Sequence, residues 1–288
     1  MALLSESIKL ESMSFINTLI SIDFRVYQTL VIFILGSFLL RRKTITLSGF
    51  IALVGIAYAF IITSNIQLFF LPVLMFLSST LISKLTASKN LNLEVIHEKE
   101  GARDYVQALS NFGPGILFYT TWYYTNIFAF EIAFIASIAC ACADTWASEI
   151  GILSKEKPVN ILSLKPTAKG VSGGITILGI LSGVAGSAFI SLCTYYCLNY
   201  DNIYRNLSSF ILSPIFIIPL TAGVIGFMLD SIYGALFQAL YIDEKGNLSE
   251  KKTNELLKGM NWINNDTVNF LACLSSGTIA HLCYSFIS

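Results

Sequence analysis

Apolar runs alternate with polar breaks along most of the chain. Runs at about 26–40, 48–64, 67–86, 106–126, 127–145, 171–198, 208–240 and 266–287 predict helices that cross a bilayer, for which about twenty apolar residues suffice. The seventh run is too long for one straight crossing. Pro214, Pro219, Gly223 and Gly226 lie inside it, which predicts a kinked or broken helix. The expected fold class is all-α: a polytopic transmembrane helical bundle of seven or eight spans. An N-terminal extramembrane segment at 1–25 is expected to precede a single transmembrane domain at 26–288. That segment has no basic stretch at its start, and its apolar part, Ser14–Ile22, is too short to span, so it reads as neither signal peptide nor membrane helix.

Composition supports a membrane solvent. Hydrophobic residues make up 55% of the 288, and only 12% are charged, against about 25% in ordinary soluble domains. So few charges cannot cover that much apolar surface in water. The formal net charge is zero, which leaves no basic footprint for nucleic acid. The six cysteines all fall inside apolar runs and read as small buried hydrophobes, including the Cys140-x-Cys142 pair, which has no histidine near it.

Charge sets the expected orientation. Arg41–Lys43 follow the first span. Lys84, Lys89, Lys99 and Arg103 surround the loop after the third, Lys155, Lys157, Lys165 and Lys169 fill that after the fifth, and Lys245, Lys251, Lys252 and Lys258 fill that after the seventh. With eight spans these clusters share one face, which the positive-inside rule places in the cytoplasm, with the N-terminus outside. The long polar loops at 87–104, 146–169 and 241–265 belong to that face, so function is expected there.

Carboxylates inside or beside apolar runs are the informative residues, because a carboxylate in the membrane costs a few kcal/mol without a partner. They are Asp144, Glu149, Asp230 and Asp266, with Glu131 nearer the outside. On an unbroken helix Asp144 and Glu149 point about 140° apart, while Ser148 shares the face of Asp144. The run Gly170-Val171-Ser172-Gly173-Gly174 before a new helix would offer N–H groups to an anion, with Lys165 and Lys169 beside it as point charges for phosphate. A tight helix packing seam is the competing reading of these glycines. Gly223, Gly226, Asp230, Gly234 and Gln238 recur on roughly one helical stripe, with Ser231 next to it. Arg103, Gln107 and Asn111 share another face. Asn264, Asn265, Asp266 and Asn269 open the last span, where Asn265 or Asp266 would serve as the helix cap. Carboxylates for Mg²⁺ beside cations for phosphate suit phosphoryl transfer. There is no Walker A, kinase or G-x-S-x-G motif.

At these residues the chain resembles the integral membrane family called domain of unknown function 92, which includes transmembrane protein 19 and the plant and cyanobacterial phytyl-phosphate kinase. The motifs that carry the resemblance are ADTWASEIG (143–151), KPTAKGVSGGITILG (165–179), GVIGFMLDSIYGALFQ (223–238) and NNDTVN (264–269). TLSGFIA (46–52), FLSSTLISKL (76–85) and RDYVQALSNFG (103–113) add weaker matches. Lys169 stands where the family commonly has proline, and Val171 where it commonly has threonine. The chain is also similar in pattern to dolichol kinase, phytol kinase and phosphatidate cytidylyltransferase.

The resemblance implies a CTP-dependent kinase that converts a prenyl monophosphate, such as phytyl or geranylgeranyl phosphate, to the diphosphate at the cytoplasmic face. By matching position, Asp144, Glu149 and Asp230 would be the catalytic Mg²⁺–nucleotide carboxylates, with Asp266 a further metal ligand. Arg103, Lys165, Lys169, Gly170, Ser172, Gly173, Asn265 and Asn269 would hold nucleotide and phosphate. Gln107, Asn111, Ser148, Ser231 and Gln238 would form a polar seam for the substrate. The implied cofactors are Mg²⁺ and CTP or another nucleoside triphosphate, the implied partner is an isoprenoid phosphate or membrane lipid, and a homodimer is compatible with this reading. The rivals are a cytidylyltransferase that forms a CDP-lipid and a small-solute transporter, for which intramembrane acids and broken helices also speak.

Overall fold

A computed structural model describes residues 25–63, 65–87, 102–198, 206–242, 246, 248–250, 252 and 255–288. All but Arg25 of the expected N-terminal segment, and most of the loop at 87–104, lie outside them.

Among the described residues, long helices stand at the eight places where apolar runs predict spans. They are α1 (described over 25–41), α2 (Leu47–Ile62), α3 (Ile66–Ala87), α4 (Tyr105–Thr125), α5 (Phe128–Gly151), α6 (Ile177–Leu198), α8 (Pro214–Leu236) and α9 (Asn265–Ile287), with one short helix, α7 (Leu207–Ile211), before α8. Five segments, in α3, α5, α6, α8 and α9, are long and apolar enough to cross a membrane on length and composition alone. The chain is a polytopic helical membrane protein.

The long seventh run divides as its prolines predict. Asn206 caps α7 by accepting from Ser209 N–H at 2.9 Å, the helix is interrupted at Leu212–Ser213, and Pro214 opens α8 in its first turn, where a missing N–H costs nothing. Pro219 is taken up within α8, which is 23 residues long and so makes a single crossing.

The core is α5. It packs against α3, α4, α6, α8 and α9, and almost every residue from Ile132 to Ala143 is inaccessible. Its sequence explains this: alanine, cysteine and serine side chains let neighbouring backbones come close, which is how helices associate where lipid removes the hydrophobic drive between them. Polar side chains then tie the bundle. Ser276 on α9 lies 3.0 Å from the Ala136 carbonyl of α5 and 2.9 Å from the Ala222 carbonyl of α8, and Ser137 donates to the Cys273 carbonyl at 2.9 Å. The outer faces carry exposed Leu117, Leu181, Tyr196 and Leu282, as lipid contact requires. The described cysteines are free, and Cys140, Cys142 and Cys273 are buried.

Two small antiparallel sheets add to the helical expectation. β1 (Val159–Asn160) pairs with β2 (Gly174–Ile175) between α5 and α6. β3 (Leu240–Ile242), β4 (Leu248–Ser249) and β5 (Glu255–Lys258) form a sheet of order β4-β3-β5 between α8 and α9. Both connect a helix C-terminus to the next N-terminus at one end of the bundle. The start of α2 reaches the same end, because Thr46 N–H donates to the Arg103 carbonyl at 3.0 Å and Arg103 N–H to the Thr44 carbonyl at 3.1 Å. Gly49 makes that approach feasible: a Cβ there would stand 2.3 Å from the Arg103 carbonyl oxygen.

Candidate functional site

At this end a cleft of about 300 Å³ opens between α4, α5, α6, α8, α9 and the loop between α5 and α6. Its floor is an acid pair. The carboxyl groups of Asp144 on α5 and Asp230 on α8 stand side by side, close enough to share a proton. Asp230 is 8% exposed, and its Oδ2 is buried without a partner. The small residues of the Gly223–Gly234 stripe bring α8 against α5, so both carboxylates meet although they are 86 positions apart.

α5 runs unbroken through Gly151, so Glu149 points away from Asp144, toward α3. Ser83 donates to Glu149 Oε1 at 2.6 Å and Thr86 to Oε2 at 3.1 Å. Arg103 lies within the electrostatic reach of Glu149, its guanidinium 5.1 Å from the centre of the Phe76 ring. Burial pulls the Arg103 pKa below its ordinary value and Glu149 opposes that shift.

The glycine run forms the opposite rim. Gly170 and Gly173 take φ of 84° and 88°, backbone that favours glycine, and Ile161 N–H donates to the Gly173 carbonyl at 2.9 Å to close the loop on β1. Lys169 lines the cleft and donates through Nζ to the carbonyls of Ile152 (3.1 Å) and Ser154 (2.6 Å), just beyond the C-terminus of α5, where the helix dipole favours a cation. The Ser172 hydroxyl spends its hydrogen on Gln238 Oε1 at 2.8 Å, and Gln238 Nε2 donates to Glu250 Oε1 at 2.7 Å. A ligand can therefore use the Ser172 oxygen as an acceptor, or its backbone, but not its proton.

Of the residues expected at the site, the structure brings fifteen together on the cleft wall. They are Arg103, Gln107, Asn111, Asp144, Ser148, Glu149, Lys169, Gly170, Ser172, Gly173, Asp230, Ser231, Asn265, Asp266 and Asn269. Two lie elsewhere. Lys165 is exposed on the hairpin that follows β1, where its carbonyl accepts from Asn160 N–H at 2.9 Å, and does not line the cleft. Gln238 is buried behind the glycine loop as its brace. The cap of α9 is Asn264, whose Oδ1 accepts from Thr267 N–H at 3.0 Å. Neither Asn265 nor Asp266 caps the helix, and both line the cleft.

Sequence reasoning missed four contributors. Ser83 and Thr86, three residues apart on α3, were visible as a polar pair at the end of an apolar helix. Glu250 lines the cleft from the turn after β4, and Lys258 on β5 donates to the Ser172 carbonyl at 3.1 Å. Burial lowers the Lys258 pKa, with Glu250 opposing. No local signal marks this last pair, because only the sheet brings it to the loop.

Five carboxylates (Asp144, Glu149, Asp230, Glu250, Asp266) thus face two cations (Arg103, Lys169) in one cleft. Such an excess of acid repels a bare anion and favours a cation. Among the described residues no three of His, Cys, Asp and Glu converge as a ligand set. The Asp144–Asp230 pair, with its orphaned buried oxygen, is the donor set that fits Mg²⁺, which takes one or two carboxylates and completes its shell with water and substrate phosphates.

The chain is 28% identical over 270 residues to Protein PGR of Arabidopsis thaliana, an alignment that covers 86% of this chain and 91% of that protein. It is 35% identical over 161 residues to an uncharacterized membrane protein of Methanocaldococcus jannaschii, which covers 55% of this chain and 54% of that one. No solved structure matches it. The family model described as integral membrane protein DUF92 matches residues 30–277, and the chain belongs to that family.

Proposed function

We propose that the protein is a CTP-dependent kinase that phosphorylates a prenyl monophosphate to its diphosphate at the cytoplasmic membrane surface. The observation that carries this reading is the Asp144–Asp230 pair, set in one cleft with the Gly170–Gly174 loop, Lys169 and Arg103. A kinase that joins two anions must neutralise charge at both. Mg²⁺ held by Asp144 and Asp230 would neutralise the triphosphate. Lys169, the loop N–H groups and Arg103 would position the phosphates.

The acceptor needs no strong general base, since a phosphomonoester is largely ionised near neutral pH. Its oxygen attacks the γ-phosphorus, the bond from that phosphorus to the bridging oxygen breaks, and CDP leaves with the bond pair. The polyprenyl tail stays in the bilayer beside the lipid-facing helices, while the headgroup enters the cleft at their end. The lysine-rich loops at this end favour the cytoplasmic side.

The test is purified protein with CTP, Mg²⁺ and geranylgeranyl or phytyl monophosphate. Diphosphate and CDP in equal amounts, lost in Asp144→Asn, support the kinase. A CDP-lipid with pyrophosphate would instead identify a cytidylyltransferase built on the same cleft. Nucleotide-independent solute flux in proteoliposomes, without either product, would identify a transporter.

A further inference from the structure

The wall of the cleft formed by α4 and α9 differs from the rest. All four side-chain amides that line the cleft stand on this wall, beside the carboxylate of Asp266. Gln107 and Asn111 stand one turn apart on α4, and Asn265 and Asn269 one turn apart on α9. Across the two helices Asn269 Nδ2 meets Asn111 Oδ1 at 3.5 Å, the outer limit of a hydrogen bond. The other end of the Asn269 amide is buried with no partner. A buried amide left unpaired costs about 1–3 kcal/mol, so the site gains when a ligand supplies the missing group.

The chemistry of that group follows from the inventory. An amide offers donors and an acceptor together and bears no charge, whichever way it is turned. An ionised phosphate offers acceptors alone and is matched better by Arg103 and Lys169. A prenyl chain offers neither. Sugar hydroxyls and the edge of a base carry donors and acceptors without charge.

We propose that Asn111 and Asn269 form a neutral subsite for the nucleoside part of the nucleotide, distinct from the phosphate cradle. This rests on the kinase reading above. It assigns the amide wall to recognition of sugar or base, and it leaves the acid pair and the glycine loop to metal and phosphate.

Calorimetric titration of the purified full chain in detergent with Mg²⁺ tests it, with CTP and inorganic tripolyphosphate as separate probes. The unaltered protein binds CTP more tightly than tripolyphosphate. Asn111→Ala and Asn269→Ala each weaken CTP about tenfold, the worth of one good hydrogen bond, and leave tripolyphosphate unchanged. Retained tripolyphosphate binding also reports that the variants are folded. Equal weakening of both probes, or no weakening of CTP, overturns the subsite and leaves the phosphate cradle standing. If the unaltered protein binds neither probe, the kinase reading falls and takes the subsite with it.

Discussion

Asp144 and Asp230 set their carboxyl groups side by side on the floor of the cleft, one from the central helix and one from α8. Two carboxylates this close in a buried setting are unfavourable unless a proton or a cation sits with them. A pure packing seam has no use for such a pair, since asparagine or serine would pack with less cost.

Asp230→Asn separates function from stability. Removing one of two facing acids relieves their repulsion, so the variant is expected to be more stable by about 1 kcal/mol, a rise of a few degrees in Tm. Diphosphate formation is expected to fall about 100-fold or more. Thermal unfolding in detergent beside the kinase assay reads both. A lower Tm would mark the pair as structural.

Gly234 faces Ser172, and a Cβ at 234 would stand 2.0 Å from the Ser172 Oγ. Gly234→Ala should therefore push the serine off Gln238 and distort the glycine loop, at a cost of about 1–3 kcal/mol. Adding Ser172→Gly removes the obstructing side chain. The double variant should recover most of the lost Tm, which a double-mutant cycle measures as a coupling of about 1 kcal/mol or more.

Ser276 ties α9 to carbonyls of both α5 and α8. Ser276→Ala should destabilise the bundle by about 1 kcal/mol, within the range for polar contacts between membrane helices. It lies apart from the cleft wall, so nucleotide affinity measured at a temperature where the variant is folded should not change.

Lys258 gives a pH signature. Burial lowers its pKa in the folded chain below 10.5, its ordinary value. Between the lowered folded value and 10.5 the unfolded chain holds more protons, so this residue makes stability rise with pH across that alkaline window. Below the folded value both states are protonated and its contribution is level. Lys258→Met should flatten the alkaline rise in Tm. A steeper rise in the variant would contradict the assignment.

Much of the site was legible in the one-dimensional pattern, for a physical reason. A carboxylate in an apolar run is expensive, so Asp144, Asp230 and Asp266 stood out without any fold. Glycines just before a helix marked the 170–174 loop. What could not be read was each side chain's partner. Glu149 looked like a third acid of the floor, yet an unbroken α5 turns it toward Ser83 and Thr86. Lys165 and Lys169 looked equivalent, but the hairpin after β1 leaves one exposed and the loop brings the other to the end of α5.

The sequence by itself determined that this chain lives in lipid, that eight apolar runs become long helices, and that its polar residues gather at one end. These depend on transfer free energies and backbone hydrogen bonding, which are local and read off composition and spacing. Only the tertiary structure decided which helix stands at the centre, that Asp144 meets Asp230, and that Gln238, Glu250 and Lys258 brace the glycine loop from a small sheet. Those outcomes depend on close packing between segments far apart in the chain, where the fit of one glycine or serine settles which backbones can touch.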